Sequence, residues 1–507
     1  MPESELMSAA EPVSFGLVNY TILAVYLVAM FSVGLFFAGK QKSTTDYFLA
    51  GRNMPWFVVA LSMFASLTSA TAYMGIPGLG YAENISLVVG GVAALCVTPF
   101  LILFFYPFYY KLKVTTSYEY IYHRYGQAAR YTVSSLFILA RMGWLGVVIY
   151  SPALALSVVT GMNLWLAIIV MGTLAISYTV LGGLSAVLWT DVLQFIILLG
   201  GAIWVGVTLL AQVPDGFAGI MDVARDAGRL HVIDWEFDLY KMSGIIVAIS
   251  FFCQFMQDYG TDQVSVQRLM AIKNYKGIAK AVVTNSFCDF FIIGLLLFLG
   301  VGMYAYFNHF PDRLASDMTA DQMLPFYIMH ALPVGVSGIL ITAIFAAAMS
   351  SMDSGINSIA TVFVNDFARP LRKEQKSEEH DLKLARLLTF VIGALAMCLA
   401  LFVVAQIGHI LKAATAFISL FSGPILALFL LGILSRRANF QGWLIATVIA
   451  VAATCWLQYG VKVHFTYYFP FCFLVCFILG YALSFLFRSS LAPKEMTLWG
   501  RKKLEHH

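Results

Sequence analysis

Charge is what this sequence has least of. Of 507 residues only 11% are Asp, Glu, Lys or Arg, whereas a soluble domain carries about 25%. So little charge cannot solvate a surface of this size, which excludes soluble enzymes, nucleic-acid-binding proteins and disordered scaffolds. Cysteine is scarce too: the seven residues all lie in apolar runs, with no pair at zinc-ligand spacing. A secreted disulfide framework and a Cys-based metal site are therefore excluded. The first fifteen residues hold acids but no Lys or Arg, unlike the charged start of a secretory signal. What the chain has is apolar sequence, 60% hydrophobic with 39 glycines, laid out in nearly charge-free stretches of about 20 residues. The fold class is an all-α polytopic membrane protein.

Thirteen such stretches lie near 17–39, 55–80, 86–110, 131–159, 163–181, 189–212, 243–267, 282–307, 335–366, 385–405, 409–434, 440–460 and 466–487. The 49 residues from Met142 to Thr190 are free of charge, too many for one span, so turns are expected at Gly161–Asn163 and Gly182-Gly183. The stretch 335–366 exceeds a bilayer's thickness and is expected to project beyond it. Alternate loops then divide the basic residues 24 to 6, with Arg141 left inside a span. That asymmetry places the N-terminus outside and the C-terminus in the cytoplasm. Residues 1–487 are expected to form one transmembrane domain, and 488–507 a cytoplasmic tail whose last residues, Leu504 to His507, read as a tag remnant.

Ionisable and clustered hydroxyl side chains within spans are costly, and so mark function. The second span carries Ser66, Thr68, Ser69 and Thr71, followed by Gly75, Pro77, Gly78 and Gly80. Such sequence suits either a helix whose backbone opens to offer carbonyls to a cation or a close-packed helix interface. In the ninth span Ala347, Ser350, Ser351 and Ser354 fall at i, i+3, i+4 and i+7, one helical stripe, with Asp353 beside it. The stripe suits an oxygen-ligated ion, and a packing seam is the alternative. The seventh span is interrupted by a polar run, Gln254 to Gln263, including Asp258 and Asp262. Two interrupted helices five spans apart suit an inverted repeat with ions and solute at its midplane. Asp191, Asp289 and Arg141 are the remaining charges at depth, and His330 and His409 fall near outer ends.

Over nearly its whole length the chain resembles the sodium:solute symporter family. The run Tyr178 to Asp191 carries the likeness most specifically, supported by Gln263 to Arg268 and Ala347 to Ser358. The segment Ile149 to Leu156 is similar to the subgroup of iodide, vitamin and monocarboxylate carriers. The resemblance implies a leucine-transporter-like core of five plus five helices (55–212 and 243–434), one extra N-terminal helix (17–39) and two C-terminal ones (440–487). It implies a first sodium site made by the carbonyls of Ala65, Thr68 and Ala347 and the hydroxyls of Ser350 and Ser351. A second site would use Asp191, Ser350, Asp353 and Ser354, where Asp353 replaces a serine, so one or two Na+ move per cycle. Solute residues are expected among Ser66, Ser69, Thr71, Gly91, Arg141, Trp144, Phe255, Asp258 and Tyr259. Trp144 stands where sialic acid carriers have a substrate-binding arginine, and Phe255 where sugar carriers have an asparagine. Arg141, one turn away from Trp144, either contacts a solute carboxylate or pairs with a buried acid such as Asp258 or Asp353.

The function expected is sodium-coupled uptake of a small, polar, carboxylate-bearing solute by alternating access. Alternatives are a sugar or proline-type carrier, proton coupling through Asp191 or Asp353, and a sensor on a transporter scaffold. No enzyme, no nucleic-acid partner, and a monomer in a bacterial inner membrane are expected.

Overall fold

Long apolar runs leave the backbone no donors or acceptors but its own, so spans fold as helices that satisfy each peptide internally. The computed structural model describes residues 15–160, 162–233, 239–240, 244–314, 319–372, 376–402, 410–487 and 491–503. His409, Gly161, Lys241 and the terminal Leu504–His507 lie outside the described residues. Among those described there is no β-strand. The first helix, α1 (Gly16–Ala38), is followed by the short α2 (Thr44–Leu49), which a Ser43–Asp46 capping box starts. Then come α3 (Trp56–Leu67) and α4 (Ala70–Ala82), two parts of one span bent by 64°. α5 (Val88–Phe100) runs through a π-turn into α6 (Tyr106–Leu112). α7 (Tyr118–Tyr125), α8 (Gln127–Thr160) and the 49-residue α9 (Leu164–Gln212) complete the first half.

The second half opens with the amphipathic α10 (Gly216–Asp226), then α11 (Gly244–Gly260) and α12 (Gln263–Leu269), again two parts of one interrupted segment. α13 (Tyr275–His309), α14 (Met323–Ala331) and α15 (Val336–Val362) follow, the last continuing through a π-turn into α16 (Arg369–Leu371). α17 (Glu378–Phe402), α18 (Ile410–Leu434), α19 (Phe440–Trp456) and α20 (Tyr468–Leu483) close the chain.

Among the described residues nine helices are long and apolar enough to cross a membrane, ten with the bent pair counted as one span. α15 lies at the centre: 94% of its apolar window is buried, against 22% for the peripheral α1. It packs on α9, α8, α1 and α3.

Two glycines explain local geometry. α9 turns at Gly183, whose φ of 55° and ψ of −158° suit a residue without Cβ, so the Gly182-Gly183 break lies where the charge-free run requires it. Gly300 on α13 brings that helix against α4; a Cβ there would fall 2.2 Å from the Pro77 carbonyl oxygen.

Candidate functional site

The two broken segments position the polar residues. α3 ends at Thr68, whose ψ of 84° leaves the helical range, and Ser69 restarts the chain by accepting from the amide of Ala72 at 3.2 Å. A helix end leaves carbonyls without partners. Here α15 supplies them: Ser350 Oγ donates to the Ala65 carbonyl at 2.7 Å, and Ser351 Oγ to the Ser66 carbonyl at 3.0 Å. Both hydroxyls also reach the Ala347 carbonyl, at 3.0 and 3.2 Å. Ala65, Ala347, Ser350 and Ser351 are thus brought together in a buried cluster of neutral oxygens, a donor set that suits a hard monovalent cation. Thr68 sits at the same break, but its oxygens make no hydrogen bond to this group; Ser66 joins it instead.

One turn further along α15 the cluster becomes charged. Asp191 of α9 is fully buried, and its Oδ2 accepts from Ser62 at 2.5 Å and Ser66 at 3.2 Å. Asp353 accepts from the Tyr178 hydroxyl at 2.7 Å and from Ser354 at 3.0 Å. Between these elements lies Arg268, 1% exposed. Its guanidinium pairs with Asp191 at 3.2 Å and donates to Ser62 at 2.8 Å, to Ser354, and to the Val264 carbonyl at 3.0 Å. It therefore ties α12 to α3, α9 and α15. By sequence Arg268 counts as a cytoplasmic flanking charge; the structure buries it in the core, because the break before α12 turns the segment inward. Arg130 (8% exposed) and Arg124 (9%) are likewise buried rather than solvated. Asp191 Oδ1 remains buried without a partner among the described residues.

A cavity of about 320 Å³ lies beside the breaks. Its wall includes Ser66, Thr68, Ser69 and Thr71 of the first break, Arg141 and Trp144 of α8, and Phe255, Asp258 and Asp262 of the second. It extends to Glu83, His464 and Thr466. Gly91 and Tyr259 do not line it. Gly91 instead faces the backbone of Phe290 across α13. Tyr259 is fully buried, donating its hydroxyl to Asp289 while its ring lies 5.2 Å from that of Phe255.

Arg141 pairs with Asp262 at 2.5 Å, not with Asp258 or Asp353. Asp262 is available because it caps α12, accepting from the Val264 amide at 2.8 Å. A polar residue was to be expected at that break, but which acid would meet Arg141 depends on the angle between α11 and α12. Asp289, on α13, joins the wall and accepts from Asn285 at 2.8 Å.

At the opposite end from Glu83 and His464 the two halves are tightly closed. Asp366, fully buried, accepts from Arg130 at 2.5 and 3.0 Å and from Thr116 and Ser134 at 2.7 Å each. Tyr106 and Tyr109 donate to the carbonyls of Tyr259 and Gly260 at 3.1 and 2.6 Å. Ser117 binds the Thr261 carbonyl and the Gln263 side chain, each at 2.9 Å.

Comparison with known proteins agrees with this architecture. Residues 47–450 match the family model described as the sodium:solute symporter family. The sodium/sialic acid symporter NanT of Aliivibrio fischeri is 32% identical over 488 residues, covering 96% of each chain. Sodium-coupled monocarboxylate transporter 2 of Mus musculus is 29% identical, over 88% of this chain and 73% of that one. Among solved structures, a Na+-coupled sialic acid symporter in a substrate-bound, outward-open state with a novel Na+ site superposes with a TM-score of 0.89. It is 30% identical and spans 95% of this chain and 100% of its own.

Proposed function

The chain belongs to the sodium:solute symporter family, and from that premise we propose how its residues couple Na+ to a solute. The protein is an integral membrane transporter, a sodium-coupled symporter with Na+ as its coupling ion. The observation that carries the coupling is the pair of α15 hydroxyls, Ser350 and Ser351, on the carbonyls freed at the end of α3. Na+ replaces those hydroxyl protons as the partner of the Ala65 and Ala347 carbonyls, with the Thr68 carbonyl turning in to join it. The ion binds two elements at once, so it favours the arrangement in which the adjacent cavity is formed. Solute and ion then raise each other's affinity, as linkage requires. The membrane potential adds about 2.3 kcal/mol per charge per 100 mV.

A second Na+ is proposed at Asp191, Asp353, Ser350 and Ser354, giving two per cycle. Two carboxylates and the single charge of Arg268 leave that cluster one positive charge short, and the unpartnered Asp191 Oδ1 supports an ion there. The solute carries a carboxylate, which Arg141 takes by exchange with Asp262. Trp144, Phe255, Ser66, Ser69 and Thr71 shape the rest of its site, with Gly91 and Tyr259 supporting the wall from behind.

We propose a thirteen-span layout, a single domain over 1–487 with repeats at 55–212 and 243–434, and the helix lengths support the span count. The 49 residues of α9 would reach about 74 Å as one straight helix, enough for two spans, and α11–α12 and α18 add two more to the ten. The N-terminus lies outside and the C-terminus in the cytoplasm, by the distribution of basic residues. The protein acts as a monomer in a bacterial inner membrane, in keeping with its bacterial relatives.

The test is uptake in proteoliposomes under an inward sodium gradient, with sodium-induced thermal stabilisation read in parallel. Ser351→Ala should lower apparent sodium affinity at least tenfold. Uptake that persists in potassium but collapses with a protonophore would instead establish proton coupling.

A further inference from the structure

Resting on the symport reading and on the same cavity, we propose that the transported solute is a zwitterion, whose carboxylate meets Arg141 and whose cationic nitrogen sits against Asp258. Asp258, Asp262 and Asp289 all line the cavity, and Arg141 is the one arginine or lysine among the lining residues. Each carboxylate is differently engaged. Asp262 is held by Arg141 at 2.5 Å and by its own helix cap. Asp289, 5% exposed, takes the Tyr259 hydroxyl and the Asn285 amide on Oδ2, with no donor to Oδ1 among the described residues. Asp258 has no hydrogen bond and no ion pair among the described residues. Its charged neighbours are Asp262, Arg141 and Asp289.

An unpartnered carboxylate at bilayer depth is expensive and is kept where a pathway uses it. A purely anionic solute would add a negative charge to a wall already in negative excess. A neutral sugar could hydrogen-bond Asp258 through its hydroxyls but would leave the carboxylate's charge uncompensated. A solute bearing both charges answers both features: its carboxylate competes with Asp262 for the Arg141 guanidinium, and its nitrogen neutralises Asp258. Phe255 stands three residues before Asp258, on the same face of α11, and offers an aromatic surface on which a cationic nitrogen is stabilised. Thr71 Oγ1, on α4, also lines the cavity, is buried without a partner among the described residues, and can bind a polar solute atom.

The experiment is counterflow by the full-length protein in proteoliposomes. Glycine betaine and 4-aminobutyrate serve as zwitterions, N-acetylneuraminate and butyrate as anions, and choline as a cation. Sodium-induced thermal stabilisation without solute reads the ion sites separately. The expected result is sodium-dependent carriage of a zwitterion, with the anions competing at least tenfold more weakly. Asp258→Asn should raise its KM at least tenfold, Asp258→Glu should restore most of it, and both should keep the sodium stabilisation. Carriage of an anion, or of no zwitterion, overturns the proposal. So does loss of sodium stabilisation in Asp258→Asn, which would make Asp258 an ion ligand. If sodium fails to stabilise the unaltered protein, the symport reading falls first and takes this one with it.

Discussion

A guanidinium with 1% of its surface exposed must find its counter-charge inside the protein, and Arg268 finds it in Asp191. Removing one partner of a buried pair strands the other and costs about 3–5 kcal/mol. Asp191→Asn and Arg268→Gln should each lower the thermal midpoint sharply, while the double variant should recover much of the loss. A double-mutant cycle in detergent checks this; additive losses would show that the two charges are not coupled. Arg141→Gln should behave differently, because Arg141 faces the cavity. It should abolish carriage of a carboxylate-bearing solute yet leave sodium stabilisation measurable, and unchanged transport kinetics would contradict that role. These two arginines also mark what a sequence can carry at this scale. Arg141 stood out because no charge surrounds it for a whole span. Arg268 did not, because a basic residue two positions from a loop looks like any flanking charge until the fold turns it inward. The hydroxyl stripe of Ser350, Ser351 and Ser354 was legible from its helical spacing alone. The partners of Arg141 and Arg268 were not, since both pairings join separate helices.

At the scale of helices, the breaks were the most legible features. The hydroxyl-rich stretch before Gly75 and Pro77 marks the 64° bend between α3 and α4, and the polar run after Gln254 marks the end of α11. The short helices α2, α7 and α14 carry no comparable signal, being too brief for periodicity to separate them from loops. The Gly182-Gly183 turn followed from length alone, and the structure adds why glycine is needed there. At Gly183 the backbone occupies a region essentially closed to other residues, worth roughly 1–3 kcal/mol of strain. A Cβ would also fall 2.7 Å from the Tyr47 carbonyl oxygen. Gly183→Ala should therefore displace α2 from α9 and reduce folded yield, measured by size-exclusion recovery and thermal midpoint. Gly200→Ala, whose Cβ meets nothing within 4 Å, is the matched control and should change neither.

For the whole molecule, the two ends of the cavity are not equivalent, and alternating access needs that asymmetry to reverse. Glu83 and His464 lie at the end the cavity reaches, which is the outer one in the proposed orientation. The other end is shut by the Arg130–Asp366 pair, with Thr116 and Ser134, and by the tyrosine contacts under the second break. We expect the Asp366 cluster, which joins the end of α15 to the start of α8 and the loop before α7, to part when the inner face opens. Its strength thus sets the bias toward the outward-facing state. Truncating one partner of such a pair costs about 3–5 kcal/mol, and a swing from 1:99 to 99:1 needs about 5.5 kcal/mol. Arg130→Gln should accordingly move the population by about two to four decades toward the inward-facing state without touching either proposed ion site. A single cysteine at Leu79 in the cavity wall, on a background without the native cysteines, reports the change through an impermeant thiol reagent. Its labelling from outside should slow at least tenfold in Arg130→Gln, and saturating sodium should restore part of the rate by drawing the protein back outward. Labelling at the original rate would mean that the closed end is held elsewhere, with the tyrosine contacts to Tyr259 and Gly260 as the next elements to loosen.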